Sequence, residues 1–115
     1  MKKLLLTLIF LLISFFAFSQ KSPCKDDICV VQFNAGWNST NDVEWINELN
    51  DCGIQYIDIA VNTEAQSKYE IVVVPTIIIF NGKEVKRFQA DISFAMKATR
   101  KDVQEVIDEI LMSDF

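Results

Sequence analysis

Cys24, Cys29 and Cys52 are the only thiols in this 115-residue chain, and it contains no histidine. Without histidine, Ser/His/Asp and Cys/His catalysis lack their central base. Three scattered cysteines are too few for a zinc site. No metal and no cofactor is therefore expected, and no catalytic residue is assigned. Asn38-Ser39-Thr40-Asn41 offers two further hydroxyls. With no base identifiable beside them, Ser39 and Thr40 read as helix caps rather than nucleophiles. Asn38-Ser39-Thr40 also spells an N-glycosylation sequon, although capping alone accounts for the triplet.

The compartment bears on the sulfur chemistry. Met1-Lys2-Lys3 is basic, Leu4 to Phe18 is an almost unbroken apolar run, and Ala17-Phe18-Ser19 sets small residues at −3 and −1 of a cut. Residues 1–19 read as a secretory signal peptide, because the run is shorter than the ~20 residues a spanning helix needs. The alternative is an uncleaved anchor. The mature chain is then 20–115. With Lys2 and Lys3 gone, nine Lys and Arg face 16 Asp and Glu, a net charge of −7. Such a balance excludes nucleic acid, and it gives no membrane attachment after cleavage. An exported, oxidising location implies one disulfide and one remaining thiol.

Patterning gives one domain over 28–115, led by a polar tail, 20–27, that is broken by Pro23. Ile28–Phe33 is nearly all apolar, as in a strand covered on both faces. The chain breaks at Gly36-Trp37 and then meets cap residues. Asn41 and Glu44 are spaced as a capping box for a helix ending near Cys52-Gly53, with Val43, Ile46 and Leu49 on one stripe. A strand that hands over to a helix start exposes unpaired N–H groups and the positive dipole end, which makes a small site. Ile54–Val61 reads as a second strand, Asn62-Thr63 caps a helix over 64–70, and Thr76–Phe80 is a third strand. Asn81-Gly82 signals a hairpin with both turn residues at positive φ, returning along Glu84–Gln89. Thr99 and Asp102 open a last helix, with Val103, Val106, Ile107, Ile110 and Leu111 on its core face. Residues 91–98 are a connection. The order β-α-β-α-β-β-α predicts an α/β fold with a four-stranded mixed sheet flanked by helices.

These motifs resemble the thioredoxin family over nearly all of residues 28–112. Phe33, Ala35 and Trp37 stand in the register of the family's Phe-x-Ala-x-Trp-Cys-x-x-Cys, and Val74-Pro75-Thr76 matches its cis-proline segment. The resemblance implies a minimal thioredoxin-like fold with Pro75 cis. It also implies a groove in which the Val74 backbone faces the helix start and pairs with an extended peptide. Asn38-Ser39-Thr40-Asn41 replaces the two cysteines, Gln32 the buried aspartate and Tyr56 its lysine partner. The thiolate and the resolving thiol that exchange requires are missing at that pole. The expected function is an exported, redox-inactive domain that binds an extracytoplasmic protein or peptide through Trp37, Asn38, Ser39, Thr40, Asn41, Val74, Pro75 and Thr76. The alternatives are a thiol–disulfide oxidoreductase using Cys24, Cys29 and Cys52, and a purely structural accessory subunit.

Strand and helix rises give each leg of the first β-α unit roughly 20 Å, which returns Cys52 to the level of Cys29 at the pole opposite Asn38. Cys24 reaches that pole as well. Cys24–Cys29 and Cys24–Cys52 stand level as candidate disulfides. Cys29–Cys52 ranks third, since it needs two core-facing side chains. As a relocated redox centre, Cys24 and Cys29 would form the dithiol, Cys52 would resolve, and Lys25 would be the cationic neighbour.

Overall fold

The computed structural model describes residues 22–24 and 27–113. The signal peptide expected at 1–19, Lys25 and part of the tail lie outside the described residues. Among the described residues no helix is long and apolar enough to cross a membrane.

Four strands form one sheet: β1 (Ile28–Asn34), β2 (Gly53–Asp58), β3 (Thr76–Asn81) and β4 (Lys83–Gln89), in the order β2-β1-β3-β4. β1 runs parallel to β2 and antiparallel to β3, and β3 is antiparallel to β4. The continuous apolar runs sit in the middle, as burial requires: every residue of β1 is buried, and so are the first five of β3. The edge strands mix exposed and half-buried residues, alternating over the first four residues of β2.

Alternation along the central strands divides the core into two layers. Cys29, Val31, Phe33, Ile78 and Phe80 face Tyr69 and Ile71 at the end of helix α1 (Thr63–Lys68). Ile28, Val30, Ile77 and Ile79 face Val103, Ile107 and Ile110 of helix α2 (Arg100–Ser113). Both helices start as their sequences predict. The Asn62 side chain accepts from the Ala65 N–H at 3.2 Å. Thr99 and Asp102 cap each other reciprocally, Thr99 N–H to Asp102 Oδ2 at 2.8 Å and Asp102 N–H to Thr99 Oγ1 at 3.2 Å. Arg87 of β4 closes the other end of α1, donating to the Tyr69 and Glu70 carbonyls and pairing with Glu84.

Two expectations fail. The helix predicted from Asn41 to Cys52 is replaced by two 3-10 turns, Gly36–Asn41 and Glu44–Glu48, neither with a side-chain cap. The cause is competition for backbone groups. The Val43 N–H, which an α-helix would give to Ser39, donates instead to the buried Gln32 Oε1 at 2.7 Å, while Asp42 N–H takes Ser39 O. The hairpin also differs. Gly82 has φ +81 and Asn81 is not in the left-handed region; Asn81 pairs with Lys83, and a register shift follows at Ile79/Phe80. A bulge adds local twist, so a single left-handed residue closes the turn.

Candidate functional site

Cys24 and Cys29 form a disulfide with Cα atoms 6.2 Å apart. β1 places Cys29 at zero exposure in the layer under Tyr69 and Phe80, while Cys24 is half-buried against the same layer. The tail is held in place by the Ser22 N–H, which donates to the Gly82 carbonyl at 3.0 Å, and by the Cys24 N–H, which donates to Ser22 Oγ at 3.2 Å. Cys24 Sγ lies 3.2 Å from Gln55 Oε1 of β2. One sulfur therefore faces the outer strand and the other is sealed in the core. Cys52 is level with Cys29, as the rises predicted, for Gly53 pairs with Cys29 in the sheet. It packs against the opposite layer, beside α2. Parity along the strands decides this, and it removes Cys52 from the reach of a common dithiol centre.

At the other pole the Val74–Pro75 peptide is cis, as the family resemblance implies. Asn38 is 5% exposed, and its Nδ2 lies within reach of Asn34 Oδ1 (3.1 Å), the Phe94 carbonyl (3.2 Å) and the Val74 carbonyl (3.4 Å). Asn41 Nδ2 donates to Asn38 Oδ1 at 2.8 Å. Asn34, fully buried at the end of β1, returns its amide to the Asn38 carbonyl and to Asp42. Asn38 is a structural lock here, turned inward and not presented for glycosylation. The Val74 carbonyl lies 3.4 Å from this amide. Thr76 Oγ1 donates to the Val73 carbonyl, and the Pro75 carbonyl accepts from Ala90. Trp37 is 67% exposed and meets Phe94 edge-on at 5.4 Å; Ser39 and Thr40 are exposed. With no α-helix beginning here, the helix N-terminus expected to make a small site at residues 38–41 is absent. Sequence reasoning missed Asn34, Asp42, Gln55 and Phe94; a lone Asn ending an apolar strand was the one signal available.

Gln32 and Tyr56 pair across β1 and β2. Gln32 is 4% exposed. Partial burial, and then the Asp42 and Asp58 carboxylates, push the Tyr56 phenol above its ordinary value. The proton-acceptor position of the family therefore holds a neutral amide, and its lysine position a protonated phenol.

The sequence matches no family model and no curated protein. Solved structures do match. A mutant thioredoxin of Halobacterium salinarum shares 22% identity with a TM-score of 0.59, covering 73% of this chain and 74% of that one. The reduced thioredoxin pre-protein of Schistosoma mansoni shares 25%, TM-score 0.59, over 74% and 80%. Fasciola hepatica thioredoxin shares 26%, TM-score 0.52, over 71% and 79%. The chain has the thioredoxin-like fold. For this thioredoxin-like chain the expectation of redox inactivity is overturned. The cysteines lost at residues 38–41 are not the only thiols the fold brings together, because Cys24 and Cys29 meet at bonding distance at the opposite pole.

Proposed function

We propose that the chain is a thiol–disulfide oxidoreductase that works through Cys24 and Cys29. The observation that carries this reading is a disulfide with one half-buried and one sealed sulfur on a thioredoxin-like fold. That asymmetry divides the labour. In the reduced chain the Cys24 thiolate attacks a substrate disulfide, forms a mixed disulfide and expels one substrate thiolate, which takes a proton. The Cys29 thiol gives up its proton and attacks Cys24 Sγ, so that the protein disulfide re-forms as the second substrate thiolate leaves. Two electrons pass from the protein dithiol to the substrate, and an external dithiol restores the reduced chain. Attack from outside cannot reach Cys29 first, so the order of the two sulfurs is fixed by burial. Two sulfurs suffice, and Cys52 on the opposite layer has no part in the relay.

The substrates are proteins or peptides outside the cytoplasm; this location rests on the basic and apolar leader at 1–19. Without histidine or a long helix to stabilise a thiolate, exchange should be slow near neutral pH and faster as pH rises toward the ordinary thiol range. The test is reduction of insulin with dithiothreitol as terminal reductant. Cys24→Ser should abolish the protein-dependent rate. Cys29→Ser, reduced and then freed of dithiothreitol before insulin is added, should stop at one mixed disulfide per chain, which mass measurement would detect. A Cys24→Ser variant that kept the full rate would overturn the proposal.

A further inference from the structure

β2 is the outermost strand, and among the described residues nothing pairs with its outer edge. Its two faces present different chemistry. Gln55 points to the layer of Cys24, whose sulfur it touches. Ile54 and Tyr56 point to the other face, where they line a cavity of about 340 Å³ with Gln32, Asp42, Val43, Glu44 and Asn47, Gln55 bordering it as well. That volume is at the small end of ligand pockets and suits a single side chain. The cavity contains two carboxylates and no cationic residue. It also holds an unmet donor. Gln32 is 96% shielded (4% exposed) and commits its Oε1 to the Val43 N–H, yet among the described residues its Nε2 has no acceptor. A buried N–H left unmet costs about 1–3 kcal/mol, so an occupant that supplies an oxygen gains over one that does not.

We infer that β2 receives an extended substrate peptide as an added strand, with a cysteine beside Cys24 and an asparagine or glutamine next to it in the Gln32–Asp42–Glu44 cavity. This rests on the oxidoreductase reading and names its substrate class. Strand addition alternates side chains between the two faces, so adjacent residues of one peptide reach the sulfur and the cavity at once. The chemistry of the cavity selects the neighbour. A lysine or arginine would meet Asp42 and Glu44 but leave Gln32 Nε2 buried without an acceptor. An aspartate or glutamate would satisfy Gln32 and be repelled by both carboxylates. A carboxamide does both, its oxygen accepting from Gln32 and its nitrogen donating to a carboxylate.

The test uses the reduced full chain and four peptides, Cys-Gln, Cys-Leu, Cys-Lys and Cys-Glu in an otherwise identical extended sequence. Each cysteine carries a mixed disulfide with 2-mercaptoethanol. Cys24 thiolate takes the peptide sulfur as the mercaptoethanol thiolate leaves, and Cys29 then frees the peptide thiol. Rates are divided by each protein's rate on bis(2-hydroxyethyl) disulfide, and by each peptide's own rate with dithiothreitol. Cys-Gln should react roughly ten-fold faster than Cys-Leu or Cys-Glu, the scale of one or two buried hydrogen bonds. Glu44→Lys should move the preference from Cys-Gln toward Cys-Glu. Equal normalised rates for all four, or a Cys-Lys peptide fastest, would overturn the inference and leave the oxidoreductase reading intact. No reaction even with the small disulfide would overturn both.

Discussion

Replacing Asn38 with alanine tests whether residues 38–41 lock the fold or cap a helix. The substitution strands the Asn34 Oδ1 acceptor in a fully buried position and removes the donor 3.2 Å from the Phe94 carbonyl. The 3.4 Å contact to the Val74 carbonyl is too long to add much. Asn41 is half-exposed and recovers water, so its bond contributes little to the cost. One stranded buried acceptor at about 1–3 kcal/mol and one net hydrogen bond near 1 kcal/mol give a loss of roughly 2–4 kcal/mol. Against a total stability of about 5–15 kcal/mol this is a large share. For a domain of this size it lowers the melting temperature by roughly 10–25 °C. Ser39→Ala, at an exposed position with no cap bond, should change stability by less than about 0.5 kcal/mol. Denaturant titration of both variants without reductant, so that the disulfide stays closed, gives the comparison. An Asn38→Ala loss below about 1 kcal/mol, or equal to that of Ser39→Ala, would refute the lock.

Reduction of the Cys24–Cys29 disulfide, which closes a sequence separation of five, should remove about 2 kcal/mol of stability. Melting curves with and without reductant should differ in wild type and coincide in Cys24→Ser. Thr99→Ala, which breaks the reciprocal cap of α2, should cost about 1 kcal/mol in a urea titration. The Tyr56 phenol lies above 10.0 because of partial burial and two nearby carboxylates. A raised folded value makes its stabilising contribution complete below the unfolded value and lost as pH climbs through the folded one. The ultraviolet titration component abolished by Tyr56→Phe should therefore centre above 10.0; a midpoint at or below it contradicts the reading.

The sheet was legible in the sequence because its evidence is local. Ile28–Phe33 and Thr76–Phe80 are continuous apolar runs that only central strands accommodate, and Thr99 with Asp102 and the α2 stripe mark a helix at fixed spacing. The segment 36–48 was misread for the opposite reason. Its residues favour a cap in isolation, but Gln32 and Asn34, buried on a neighbouring strand, capture the groups an α-helix would use.

Sequence alone determined the four strands and their mixed parallel and antiparallel pairing, the cis-proline segment through the family resemblance, and the level at which Cys52 returns beside Cys29. It could not choose between Cys24–Cys29 and Cys24–Cys52, because level along a strand says nothing about which face a side chain takes. The packed sheet made that choice. Cys29 shares its layer with the tail cysteine and Cys52 lies in the other, so the packed sheet leaves Cys29 as the cysteine that Cys24 meets.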